Sequence, residues 1–163
     1  MQYVIAIDPG PKMSGLCVID VDTYVPVLQR KLANELIVDT VKCALGVSEV
    51  VIEMVGHYGT GMPAGKDVFD TCVWIGRFLE QFEIRRTPTH TLKRGDVKMH
   101  ICGSMRANDA TIRQALVDRF APDTSNHGKG TKREPGWFYG FSGDMWQAYA
   151  LGVTYLDLGD NKK

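Results

Sequence analysis

The run Tyr3-Val4-Ile5-Ala6-Ile7 leads without a polar break into Asp8-Pro9-Gly10, and this junction constrains the fold more than any other stretch of the chain. An apolar run of this length reads as a buried strand, and a carboxylate at its end costs free energy unless something pairs with it. After the Pro-Gly turn comes Ser14-Gly15-Leu16-Cys17-Val18-Ile19-Asp20, a second apolar run that can return antiparallel and hold Asp8 on a rigid hairpin floor. Asp before Pro-Gly is also ordinary turn chemistry, so on this segment alone Asp8 reads equally as a turn residue or as a metal-binding carboxylate.

Two further acids tip the balance. Glu53 sits among apolar neighbours in Glu49-Val50-Val51-Ile52-Glu53-Met54-Val55, a strand of the same design. Asp144 follows a Ser-Gly turn and opens the apolar, helix-length stretch Met145 to Val153, where Ser142 or Asp144 can cap the helix and the carboxylate meets the favourable end of its dipole. Gln147, three residues on, projects from the same helix face. Two strand carboxylates and one at a helix start make an oxygen-rich site for a hard divalent cation. Magnesium or manganese fits best, because no His or Cys accompanies the acids at zinc spacing.

Asp8-Pro-Gly closing the first strand, Glu53 closing a later one and Asp144 opening the last helix resemble the RuvC-type Holliday junction resolvases of the RNase H-like superfamily, in a short form such as phages carry. The likeness extends over nearly the whole chain in the same order, and its first motif is the most specific. It implies an RNase H-like mixed sheet with helices on both faces and magnesium-dependent cleavage of paired strands across a four-way DNA junction. By the same resemblance Asp8, Glu53 and Asp144 are metal ligands, and Lys98 falls where the family places a basic residue important for activity. The family often carries another acid three residues into the last helix. Here Gln147 brings an amide oxygen, able to coordinate weakly or orient a water, and no negative charge.

A chain of 163 residues with 44% hydrophobic content holds one domain with a real core, and residues 1–158 are expected to form it, with a frayed tail at 159–163. Lys+Arg and Asp+Glu both number 19, so net charge gives no nucleic-acid signal and any DNA footprint must be local. Cys17, Cys43, Cys72 and Cys102 form no CxxC pair and read as free thiols of a reducing compartment. With no secretory or transmembrane run at Met1, the expected setting is the cytoplasm of a bacterial or phage-infected bacterial cell.

The remaining elements follow from periodicity. Tyr24 to Gln29 predicts a third strand, at an edge because of Pro26, and residues 34–45 a helix stopped by Gly46. Lys66 to Phe82 predicts a long amphipathic helix, Ile84 to Pro88 a short strand and its exit, and Ala107 to Phe120 another helix. Together these give an α/β layout, a mixed sheet flanked by helices.

Three segments offer DNA contacts. The loop from Gly56 to Gly65 follows Glu53 and carries four glycines, so it can approach a ligand closely, but it lacks Walker spacing. Tyr58 or His57 is placed to stack on a base at a branch point, and the resemblance, with its aromatic in this loop, favours Tyr58. Basic residues cluster at Lys93, Arg94 and Lys98, with Arg106 and Arg113 beyond. A charge run is usually a solvated face, and near carboxylates it can equally hold a phosphate. Pro122 to Gly143 combines glycines with Lys129, Lys132 and Arg133 and ends in Trp137, Phe138, Tyr139 and Phe141. It fits a loop ordering over a DNA backbone, its rings mostly anchoring it to the core.

The expected mechanism is two-metal phosphodiester hydrolysis on branched DNA. Cutting two strands related by a two-fold axis requires two sites facing the same way, hence a homodimer, with Phe69, Cys72, Val73, Gly76 and Leu79 of the long helix as interface candidates or as packing on the parent sheet. Two other classes remain open. One is another phosphoryl-transfer branch of the superfold: a ribonuclease H, or a sugar kinase for which the chain leaves no second domain. The other is a protein that binds branched DNA without cutting it.

Overall fold

The hairpin forms where the apolar runs place it: β1 (Tyr3–Asp8) pairs antiparallel with β2 (Met13–Asp20), Asp8 lying opposite Gly15. In the computed structural model, which describes residues 2–42, 47–56 and 65–160, β3 (Pro26–Ala33) adds to the outer side of β2. There Pro26 starts an edge strand, where a missing N–H breaks no ladder. On the other side β4 (Val47–Met54) joins β1 in parallel and β5 (Thr89–Lys93) joins β4 in parallel, giving the order β3-β2-β1-β4-β5. The helices are α1 (Asn34–Lys42), α2 (Lys66–Ile84), α3 (Arg94–Cys102), α4 (Asp109–Phe120) and α5 (Met145–Asp160). This is the RNase H-like α/β fold, a mixed sheet with helices on both faces.

Strand alternation divides the core in two. Ile5, Ile7, Leu16, Val50 and Ile52 face α1 and α2, meeting Ile37, Ile75, Phe78 and Phe82. Val4, Ala6, Cys17, Ile19 and Val51 face α3, α4 and α5. Helix α5 is buried along most of its length, and Gly152 lets it lie against the sheet: a β-carbon there would collide with Ile19 and stand 3.1 Å from the Ala6 side chain.

The strand expected at residues 84–88 begins later. Helix α2 continues through Ile84, and Arg85 and Thr87 both donate backbone N–H bonds to Phe82 O, closing the helix end. Pairing with β4 starts at Pro88, which offers a carbonyl to Val50 N at 2.9 Å but has no N–H of its own. The segment after α4 is anchored by its rings, with Phe138 and Phe141 fully buried against Trp146 and Tyr149, while Tyr139 is exposed. Trp146 is core as expected, whereas Trp74 is half-buried with the Arg77 guanidinium 4.0 Å above its ring. Cys17 is buried, Cys102 half-buried and Cys72 exposed; Cys43 lies outside the described residues, as do 161–163 of the tail. Among the described residues no helix is long and apolar enough to cross a membrane.

Candidate active site

The register of β1 on β4 sets Ala6 beside Val51 and Ile7 beside Ile52, so Asp8 and Glu53 are the next positions on neighbouring parallel strands. Both share the sheet face of Val4, Ala6 and Val51, the one α5 covers. Asp144 stands immediately before α5, its carbonyl accepting the first helical bond from Ala148 N at 3.0 Å. In the same cross-strand row Asp8 pairs with Gly15 and Gly15 with Lys31. Lys31 Nζ reaches up to Asp144 Oδ2 at 2.6 Å.

The carboxylates burden one another. Burial above all, then the charges of Glu53, Asp144 and Asp109, push the Asp8 carboxyl up to about 8, against the opposing pull of Arg94. Glu53 is raised as well, chiefly by burial and also by Asp109, while Arg94 and Lys98 pull it down. Arg94, the first residue of α3, places Nη1 at 3.4 Å from Glu53 Oε2 and Nη2 in tight contact with Asp109 Oδ1. The Lys31–Asp144 pair is 45% and 40% exposed and contributes little stability. The Arg94–Glu53 pair, 27% and 14% exposed, is the more strongly held.

The turn beneath Asp8 is locked by two buried polar residues. Ser14 Oγ accepts from Gly10 N at 3.1 Å and donates to Asn34 Oδ1 at 2.6 Å, while Asn34 Nδ2 donates to Gly10 O at 2.9 Å. Asn34 thereby ties the start of α1 to the Pro9-Gly10 turn.

Gln147 lies on the first turn of α5, 7% exposed, and its Oε1 has no hydrogen-bond partner among the described residues. Lys98 is half-buried and lines a groove with Lys93, Arg94 and Gly56. Arg106, Lys132 and Arg133 are exposed and Lys129 is half-buried. His57 and Tyr58 lie outside the described residues.

Asp109, Lys31, Ser14 and Asn34 were not candidates from the sequence. Asp109 reads as an ordinary first-turn acid behind the cap Asn108, whose Oδ1 accepts from Thr111 N at 2.9 Å, and Lys31 as one more polar residue of an edge strand. Only the sheet register reveals that Lys31 shares a row with Asp8.

An all-oxygen set with a buried amide oxygen left unpartnered fits a hard divalent cation. As they stand, with Glu53 drawn to Arg94 and Asp144 to Lys31, no three acid, imidazole or thiol groups among the described residues gather around one point.

No protein-family model matches the chain, and no curated protein does. Solved structures do. The fold is similar to RuvC of Thermus thermophilus in complex with a Holliday junction substrate, with a TM-score of 0.70 and 14% identity over 98% of this chain and 97% of that one. It is similar also to a second Thermus thermophilus RuvC structure, with a TM-score of 0.69 and 17% identity over 97% of each.

Proposed function

We propose that this chain is a structure-selective endonuclease that cuts four-way or other branched DNA by metal-dependent phosphodiester hydrolysis. The observation that carries the reading is the placement of Asp8 and Glu53 at adjacent parallel strand ends, on the face where Asp144 enters α5. The full-length likeness of fold to a protein seen bound to a Holliday junction supports the choice of DNA substrate. The compact phage-like form rests on the sequence resemblance alone.

Asp8, Glu53 and Asp144, with the Gln147 amide oxygen, would hold Mg2+, for which Mn2+ can substitute, as two ions per site. When bound, such ions lower the pKa of water and stabilise a leaving oxygen. The protein contributes rigidity: the Ser14–Asn34 lock fixes the Asp8 turn, and Gly15 seats the Asp144 backbone against the sheet. Lys98 is set to neutralise a phosphate, since its charge already reaches Glu53. Lys93, Arg94 and Arg106, together with Lys129, Lys132 and Arg133, would follow the backbone of the arms, and Tyr58 or His57 would stack at the branch point. The exposed Phe69, Cys72, Val73 and Gly76 of α2 suit a homodimer interface that sets two sites on one junction, with Leu79 half-buried behind them.

The test is a panel of four-way junction, flap, duplex and RNA-DNA hybrid substrates, each in magnesium and in chelator. Junction cleavage that requires magnesium and is lost in Asp8→Asn, Glu53→Gln and Asp144→Asn, with binding in calcium retained, is the expected result. Cleavage of the hybrid alone would make the chain a ribonuclease H. Binding without cleavage would make it a branched-DNA-binding protein, the reading that Gln147 in place of an acid favours.

A further inference from the structure

We propose that Asp109 supplies the carboxylate that Gln147 lacks, so that Asp109, Asp144 and the Gln147 amide oxygen together form one of the two cation positions. The assignment rests on the metal-dependent reading above and moves the missing charge from α5 to the start of α4.

Asp109, Asp144 and Gln147 line one cavity of about 340 Å³, with Arg113 beside them. Gln147 Oε1 is buried without a partner among the described residues, and an unpaired buried carbonyl oxygen is costly. A cation, or a water held by one, would remove that cost. Asp109 is not needed as a cap, because Asn108 performs that role, and its side chain is 73% exposed with Arg94 as its ion-pair partner. Its charge nonetheless reaches the strand acids, raising both Asp8 and Glu53. Arg94 places one guanidinium between Glu53 and Asp109, so a positive charge already bridges the α4 acid and the strand acids.

Manganese binding to the whole chain without DNA, followed by electron paramagnetic resonance and calorimetry, tests the assignment. The parent chain is expected to bind two ions. Asp109→Asn should keep one at parental affinity and bind the other about tenfold more weakly or worse. Adding Gln147→Asp to Asp109→Asn should restore the second ion, since it returns a carboxylate to the same cavity. Asp118→Asn, which removes an acid elsewhere on α4, should bind as the parent does. Two ions held by Asp109→Asn at parental affinity would overturn the assignment, as would a loss that Gln147→Asp fails to restore. A parent chain that binds no manganese, or whose binding is indifferent to Asp8→Asn, would instead overturn the metal-dependent reading, and this assignment with it.

Discussion

Gly15 lies directly beneath Asp144: a β-carbon on Gly15 would stand 2.5 Å from the Asp144 carbonyl oxygen and 3.0 Å from its Cβ. Gly15 is also the cross-strand partner of Asp8 and of Lys31. One residue without a side chain thus sets the distance between the strand acid and the helix acid, and the neighbour it would strike is backbone, which cannot swing aside.

Gly15→Ala is therefore expected to lift the start of α5 from the sheet. Overpacking of this kind costs about 1–3 kcal/mol, and a displacement near 1 Å at a reacting centre costs about a hundredfold in rate. Single-turnover junction cleavage should fall by that order while binding in calcium persists. An alanine variant that cleaves at the parental rate would show that Asp144 does not need its present position.

Asn34→Ala should destabilise the fold by about 1–3 kcal/mol, because it leaves Ser14 Oγ and Gly10 O with lost partners in a buried site. Denaturant unfolding measures this. Replacing Ser14 in addition should cost less than the sum of the two single changes, since they share one network.

Much of this arrangement was legible in the chain and part of it was not, for a physical reason. Apolar runs that end in Asp8 and Glu53, and an acid before the apolar helix 145–160, announce themselves because a carboxylate beside a core is costly. The first hairpin and a mixed sheet flanked by helices could be read from the chain, whereas the strand order β3-β2-β1-β4-β5 came only from the structure. Lys31 and Asp109 carry no such mark: each is a charged residue in an exposed position, and its relation to the site exists only through sheet register and helix packing. Ile84 was misleading because an isolated β-branched residue before Arg-Arg-Thr-Pro fits a strand start as well as a helix end, and the exposure of its side chain at 68% leaves neither reading penalised.

Arg94→Gln removes the charge between Glu53 and Asp109. In chelator the variant is expected to melt lower than the parent, by the equivalent of about 1–3 kcal/mol, since two acids lose their common cation. Magnesium should then raise its melting temperature by more than it raises the parent's, because Arg94 no longer competes for Glu53. Equal magnesium shifts in the two proteins would mean that Arg94 and the ion do not share a site.

Lys98→Ala should reduce cleavage more than binding, whereas replacing Lys129, Lys132 and Arg133 together should weaken binding and flatten its salt dependence. The distinction comes from location: the charge of Lys98 reaches Glu53, while Lys132 and Arg133 are exposed on the segment between α4 and α5. Filter binding over a salt series, beside cleavage rates, separates the two. Parallel losses in both variants would remove Lys98 from the reacting phosphate.

Asp157, far along α5 from the acids, gives the fold a pH-dependent clamp. Burial alone would raise its carboxyl, but bonds from Arg119 at 2.7 and 2.9 Å, from His100 at 2.7 Å and from Tyr24 at 3.0 Å outweigh this and hold it at about 2, below the ordinary 3.8. A carboxylate whose folded pKa is depressed stabilises the fold fully above its ordinary value and loses that contribution as pH falls through the folded value. The shift corresponds to about 1–2 kcal/mol once discounted for the partial exposure of Arg119. Asp157→Asn should accordingly be less stable than the parent by about that much near pH 7, with the gap closing between about pH 4 and pH 2. Urea unfolding of both proteins across this range measures it. A gap that stays constant down to the acid limit would place the loss in packing around Tyr24 and Arg119, and not in the charge of Asp157.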